Sequence, residues 1–139
     1  MAGHIEFQQT NKINQAIAPQ AVAGSLTSTY FDMGEAHHAV AIIEVGAHTT
    51  DVVVLLNQGV AAGAGGGGTV KAISGKTVTV VVGMANSFQV IECEASELDV
   101  NGGFKSIAVL TTVAAGAGAL ISVTFIRTPL RREPSSLVT

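Results

Sequence analysis

From Ser28 onward, short apolar runs alternate with segments rich in Gly, Asn and Ser. Runs of strand length between such turn-forming residues predict β-strands. No stretch of useful length shows the period of about 3.6 residues that marks an amphipathic helix. The pattern therefore predicts one sheet-rich domain, and the runs are STYFDM, HHAVAIIEV, TTDVVVLLN, GTVKAI, KTVTVVVG, SFQVIECEA, FKSIAVLTTV and ALISVTFIR.

The runs differ in how many of their faces are apolar. In the last run Ile121, Val123 and Phe125 alternate with polar residues, which is typical of a strand with one buried face. The runs AVAIIEV and DVVVLL are apolar on both faces, so we expect a neighbouring subunit to cover one of them. Because open edges on Val-rich strands aggregate, we expect an antiparallel β-sandwich or jelly-roll-like barrel inside a larger assembly.

One run breaks the alternation. Phe88 and Val90 share one parity, whereas Ile91, Cys93 and Ala95 share the other. A β-bulge near residues 90–91 is the simplest explanation.

The start of the chain has a different character. It is polar, is interrupted by Pro19 and shows no helical stripe. We therefore divide the chain into an extended N-terminal arm over 1–27, a β-sandwich domain over 28–127 and a C-terminal tail over 128–139.

Composition supports an assembly. Apolar residues make up 47% of the chain and charged residues 12%, against a usual charged share of about 25%. So few charges predict that some apolar surface contacts protein, in an oligomer or on a partner. The net charge of −3 argues against a nucleic-acid partner, which would favour a basic patch.

Targeting signals are equally sparse. The N-terminus shows no secretory signal and Cys93 is the single cysteine, so we expect synthesis in a cytoplasm. The uncharged segment 106–126 is long enough to cross a bilayer. Its Thr, Ser and Gly residues favour two strands joined by a turn, so no membrane partner is expected.

The glycine-rich motifs do not fit nucleotide binding. GAGGGG (63–68) matches the dinucleotide pattern, and SGKT (74–77) resembles the end of a P-loop. Both motifs precede strand-like residues, whereas phosphate-binding loops open a helix. We expect the 61–68 tract to be a loop whose glycines permit close backbone packing.

Candidate metal and catalytic groups are few. His37 and His38 point to opposite sides of a strand, so they do not readily share a metal with Glu44, His48 and Asp51. Cys93 lies between two glutamates, whose charges raise a thiol pKa, and no serine occupies a nucleophile elbow. We expect no enzyme, no metal, no cofactor and no small-molecule substrate.

The stretch ELDVNGGF (97–104) has two interpretations. Asp99 and Asn101 could begin a calcium loop, but the later ligand positions hold Gly103, Lys105 and Ile107. Asn101-Gly102 is the strongest short hairpin signal, since both residues tolerate the positive φ of a type I′ turn. We expect a structural hairpin.

Together, the N-terminal arm, the Val- and Gly-rich β domain, ELDVNGGF and the terminal IRTPLRREP resemble the capsid decoration, or cement, proteins of tailed bacteriophages. The resemblance implies a protein without an active site, located on the outer surface of a virion capsid. It implies a homotrimer, seated where capsomers meet, with the major capsid protein as partner. Its termini would supply the contacts, namely Phe7, Ile13, Arg127, Arg131 and Arg132.

Alternatives remain open. The arginine tail fits an acidic capsid surface as well as it fits a solvated terminus. A head-fibre or tail component would share the same composition. A ligand- or metal-binding jelly roll would require a pocket with convergent polar groups.

Overall fold

The computed structural model describes residues 7–34, 36–63, 66–114 and 116–130. A short helix, α1 (Phe7–Thr10), precedes the first strand. Two 3-10 turns, Ala95–Glu97 and Val100–Gly102, lie between the seventh and eighth strands. The strands described are β1 (Lys12–Val22), β2 (Gly24–Thr27), β3 (Phe31–Asp32), β4 (Ala36–His48), β5 (Val52–Gly59), β6 (Val70–Val80), β7 (Ser87–Glu94), β8 (Ser106–Val113) and β9 (Ala119–Leu130).

The strands form two antiparallel sheets. Sheet A has the order β1-β9-β4-β7, and sheet B has the order β2-β8-β5-β6, with β3 also paired to β8. This order, with the two sheets face to face, is that of a jelly roll. The predicted all-β sandwich or jelly-roll architecture is confirmed.

The core lies between the two sheets and follows the period-two alternation of their strands. Ala41 and Ile43 of β4 and Val54 and Leu56 of β5 have no exposed surface. Their neighbours in sequence point outward and are half-buried, except Glu44, which is exposed. The two runs that are apolar on both faces therefore each place one face in the core.

The segment predicted to be an N-terminal arm contains two strands of the sandwich. β1 pairs with β9 in sheet A, and β2 pairs with β8 in sheet B. Residues 12–27 thus belong to the sandwich, because Ile17 and Val22 complete its core. At the other boundary β9 continues to Leu130, so residues 128–130 are strand, whereas 131–139 lie outside the described residues.

The predicted bulge in β7 is wrong. β4 and β7 pair without a register shift from His38–Glu94 to Val45–Ser87. The alternation is intact, with Ile91 and Cys93 inward and Phe88 and Val90 exposed. The apolar residues change parity along this run because Phe88 and Val90 face outward, whereas Ile91 and Cys93 face the core.

The segment 106–126 does not form a helix. It contains β8 and most of β9, which belong to different sheets. The prediction of two strands joined by a turn is confirmed. Within the described ranges, no helix has the length and apolar character needed to span a bilayer.

Gly67 of the glycine-rich tract packs closely over the end of sheet B. A Cβ at Gly67 would lie 2.7 Å from ring atoms of Tyr30, and one at Gly59 would lie 2.8 Å from Gly67 Cα. The Ser106 hydroxyl oxygen lies 3.0 Å from the Gly59 carbonyl oxygen and 2.5 Å from that of Ala61, and its single O–H donates to one of them. Only residues without a side chain fit between the strand and the Tyr30 ring.

The stretch ELDVNGGF is a corner between sheets and not the predicted type I′ hairpin. β7 lies in sheet A and β8 in sheet B, so the connection crosses the sandwich. Val100–Gly102 form a 3-10 turn, and the left-handed residue is Gly103, at φ 81°. Asn-Gly predicts a hairpin only when the flanking strands pair with each other.

Polar contacts within the chain hold this corner. Asp99 Oδ1 accepts from the Gly102 N–H (3.0 Å), and Lys71 Nζ donates to Asp99 Oδ2 (2.6 Å). The Lys71 hydrogen bond is the main cause of a lowered pKa of the Asp99 carboxyl. The same ammonium lies 4.6 Å from the centroid of the Phe104 ring, so the corner is bound to β6.

A histidine joins the end of β4 to the chain after β6. His48 Nδ1 lies 2.9 Å from the Gly46 carbonyl, and Nε2 lies 2.8 Å from the Val81 carbonyl. A neutral imidazole has one N–H and satisfies one of these acceptors, whereas an imidazolium donates to both. The pKa of His48 is accordingly raised. The hydrogen bond to the Gly46 carbonyl is the largest cause, and the one to the Val81 carbonyl is the second.

Replacing Gly67 tests the packing of the glycine tract. Gly67→Ala should lower the free energy of unfolding by about 1–3 kcal/mol, because the new methyl group overlaps the Tyr30 ring. Gly118→Ala is the matched control, since its Cβ would meet no atom within 4 Å. Urea denaturation of both variants measures the difference, and equal stabilities would contradict this packing.

The His48 contacts predict a dependence of stability on pH. The pKa of His48 is higher in the folded chain than the unfolded-state pKa of 6.5. The stabilisation by its hydrogen bonds is therefore complete below pH 6.5 and is lost as the pH rises through the folded-state pKa. His48→Gln should therefore cost more stability at about pH 5.5 than at about pH 8.5. Denaturation at both values, with the exposed His37→Gln as control, measures this; a cost independent of pH would argue against it.

Candidate interaction surface

Sheet A has an apolar outer face. The register places Ile13, Ile126 and Val40 in one row across β1, β9 and β4, and Ile42 and Val90 in the next row. Alternation directs these side chains away from the core. We use the term outer face for the apolar residues Ile13, Val40, Ile42, Phe88, Val90, Leu120 and Ile126.

Several of these residues are well exposed. The exposed fractions are 61% for Phe88, 52% for Leu120, 45% for Val90 and 43% for Ile13. Single exposed apolar side chains are normal, but a contiguous group of them marks an interaction surface. The outer face is therefore the candidate functional surface.

A groove lies at one end of the outer face. It has a volume of about 540 Å³, and its lining includes Pro19, Gly46, Phe88 and Leu120. Leu120 covers Gly46 closely, since a Cβ there would lie 3.2 Å from Leu120 Cβ. The groove can receive an apolar side chain from a partner.

The charges on this side of sheet A are acidic. Glu44 and Glu92 point outward beside the apolar rows, and Glu92 Oε2 lies 3.9 Å from His38 Nε2. Among the described residues of β4, β7 and β9 that point outward from sheet A, none is Lys or Arg. A partner of this face would complement it with an apolar centre and basic groups at the rim.

Two contact residues predicted from the sequence are exposed. Ile13 belongs to the outer face, opposite Ile126. Phe7 is 56% exposed on α1, which packs beside β1 and β9. Their contact with a partner stays a prediction.

Arg127 has internal partners. Its Nη1 donates to the Asp32 carbonyl (2.7 Å), and Nη2 donates to Asn14 Oδ1 (2.9 Å). The guanidinium also lies 5.6 Å from the centroid of the Phe31 ring. It therefore links β9 to β1 and β3, and its proposed capsid contact stays a prediction. Arg131 and Arg132 lie outside the described residues.

Sequence reasoning missed Phe88 and Leu120, the most exposed members of the outer face. A usable signal was present, because Phe88 and Val90 share the parity of Glu92 and Glu94. Charged residues reveal the solvent face of a strand more reliably than apolar residues reveal its core face, since buried charges are costly.

The acidic and histidine residues do not converge. His38 and Glu44 point outward from β4, His37 points to the other side, and His48 contacts two carbonyls. Across the described part of the chain, no group of three or more His, Cys, Asp or Glu side chains could hold a metal ion.

The Cys93 thiol is protonated and enclosed. It has no exposed surface, and its Sγ donates to the Glu94 carbonyl at 3.4 Å. Burial, followed by the negative charge of Glu97, raises its pKa to about 12. Sequence analysis predicted the direction of this pKa shift, but burial is its main cause.

Comparisons with known proteins yield structural likeness only. No family model matches the chain, and no curated protein matches it. A pilus subunit of Bacillus endospore appendages, described as disulfide-linked, aligns over 94% of this chain and 97% of its own length, with a TM-score of 0.47 and 15% identity. A protein of infectious bursal disease virus, Gx strain, aligns over 84% of this chain and 30% of its own length, with a TM-score of 0.43 and 12% identity. Similarity at this level assigns no function.

Proposed function

We propose that the protein is a structural subunit of a virion that catalyses no reaction. More specifically, we propose a decoration protein on the outer surface of a tailed-phage head, where it bridges neighbouring capsid subunits. The observation that carries the proposal is the outer face of sheet A, with Phe88, Leu120, Val90 and Ile13 exposed together. A free subunit would leave this face in water, whereas an assembled one would bury it.

The proposed partner is the major capsid protein. Its contact surface would present apolar side chains to the Ile42 and Val90 row and to the groove beside Leu120. Its rim would present Lys or Arg to Glu44 and Glu92, because oppositely charged rims steer association and fix orientation. Ile13 and Phe7 would extend the contact at the β1 edge.

Bridging would stabilise a shell by mass action. A subunit that binds assembled capsid better than free capsid protein shifts the equilibrium toward the assembled form. Contacts repeated by symmetry need not be individually strong. We also propose that the protein is a homotrimer, which would present three outer faces to the shell.

A second candidate is another virion component, such as a head fibre or a tail protein. The same apolar face would serve either location. Presence of the protein in purified heads that lack tails would distinguish head from tail.

Phe88→Ser tests the outer face directly. The substitution should weaken binding to heads assembled without the protein, because it removes an exposed ring from the proposed contact. Truncation of an interface hot-spot residue typically reduces the binding free energy by at least about 1 kcal/mol, which is roughly a fivefold loss of affinity. Val100→Ser is the matched control, since Val100 is 69% exposed at the inter-sheet corner and not on the outer face.

Binding is measured by cosedimentation, and function by survival of heads after heating or osmotic shock. We expect survival to rise with the wild-type protein and with Val100→Ser, and to rise less with Phe88→Ser. Equal survival with and without the protein would refute reinforcement. Equal binding of both variants would exclude the outer face as the contact.

Chelation tests the alternative of a metal-binding jelly roll. We expect the melting temperature to be unchanged by a chelator, because the Asp99 carboxylate is bound by Lys71 and the Gly102 N–H. A ligand present at about 100 times its dissociation constant adds roughly 2.7 kcal/mol of stability. A fall of several degrees on chelation, measured by calorimetry, would contradict this expectation.

A further inference from the structure

Among the described strands, β7 is a sheet edge whose only protection against strand pairing is the charge of Glu92 and Glu94. It pairs with β4 on one side and lies at the end of sheet A. Its eight residues, SFQVIECE, contain no Pro, Lys or Arg, and its pairing shows no register shift. Proteins normally prevent edge pairing with short strands, bulges, prolines or charges, especially lysine.

The other sheet edges are protected in these ways. β1 contains Pro19 and two register shifts. β6 carries Lys71 and Lys76, together with a register shift. β2 has four residues. The contrast indicates that the edge of β7 is available for a partner strand.

The backbone direction of β7 identifies the groups at this edge. The Glu94 N–H donates to Glu97 Oε2 at 2.7 Å, so it points away from β4. Alternate residues of a strand direct their N–H and C=O groups to the same side. Phe88, Val90 and Glu92 therefore present theirs to the open edge, while their side chains point outward from sheet A.

We propose that β7 pairs antiparallel with β7 of a second copy, about a two-fold axis that passes beside Val90. Val90 then lies opposite Val90 of the second copy, and Phe88 lies opposite Glu92. Each facing pair exchanges two N–H···O bonds. The two A sheets become one continuous sheet, and the interface is isologous.

Charge favours this register. An axis at Glu92 would place that carboxylate opposite its own copy, and like charges directly opposite each other destabilise a sheet. The axis at Val90 separates the Glu92 carboxylates and aligns the apolar rows. Ile42 and Val90 of one copy then continue into Val90 and Ile42 of the other, so the outer face extends across the pair.

The pairing goes beyond the proposed function, since its partner is the same chain and no capsid is required. It is compatible with the proposed trimer only when two trimers pair into a larger assembly. A three-fold ring uses heterologous contacts, whereas this contact is two-fold. A trimer that pairs through β7 would give an even number of protomers of 14.1 kDa each.

Cysteine cross-linking tests both the contact and its register. Directly opposed residues that exchange hydrogen bonds have Cα atoms about 5.5 Å apart, which is within the range for a disulfide. Val90→Cys should therefore form a covalent dimer on mild oxidation. Phe88→Cys is the matched control, because Phe88 is also exposed but faces Glu92. Cys93 is buried and is common to both variants.

At about 10 µM protein, the Val90→Cys dimer should form on the order of 100 times faster than the Phe88→Cys dimer, since pairing gives an effective concentration in the millimolar range. Equal rates would overturn the register. Absence of a cross-link in both variants would overturn the pairing, provided that circular dichroism shows folded protein.

Amide hydrogen exchange of the wild-type chain tests the pairing without a substitution. The amides of Phe88, Val90 and Glu92 should gain protection as concentration rises, whereas that of Ile91, which faces β4, should be protected throughout. Rapid exchange of Val90 at every concentration would refute the proposal, as would an odd number of protomers by light scattering.

Discussion

Packing of the two inner sheet faces fixes the direction of the side chains on the strands of the sandwich, because successive residues of a strand point to opposite faces. On β4 this places Ala41 and Ile43 in the core and leaves Val40 and Ile42 outside it. The core accepts one apolar face from each strand and cannot accept both. The outer face of sheet A therefore results from a sequence that is apolar on both parities, and its exposure is a consequence of the same packing that stabilises the fold.

Small residues let the sandwich close with few large side chains. Aromatic residues make up 4% of the chain, and two of them, Phe31 and Phe125, stack in the sandwich with ring centroids 4.9 Å apart. Elsewhere the backbone itself packs against side chains, and one example is Gly67 against the Tyr30 ring. Each glycine loses more conformational entropy on folding than another residue would. Close packing and hydrogen bonds such as those from Ser106 offset this cost.

Alternation alone predicted the fold class, because period two is a local property of each strand. It failed where the outcome depends on partners distant in sequence. β1 resembled an arm since Pro19 and polar residues interrupt it, yet Ile17 and Val22 complete the core. Asn101-Gly102 resembled a hairpin, yet the flanking strands pair with different neighbours. Of the candidate surface, sequence analysis identified Ile13 and missed Phe88, although Phe88 shares the parity of Glu92 and Glu94 and the β4–β7 register confirms that parity.

The distribution of charge connects the two surfaces proposed for this protein. Lys71 and Lys76 pair with Asp99 and Glu97, so these two cations stabilise the connection between β7 and β8. Acidic side chains, Glu44 and Glu92, flank the outer face, and the outward residues described on β4, β7 and β9 include no Lys or Arg. Like charges disfavour direct face-to-face stacking of two such sheets, but edge pairing at Val90 keeps the carboxylates apart. Self-association through the edge therefore leaves the outer face available, and a partner that covers it must supply the positive charge.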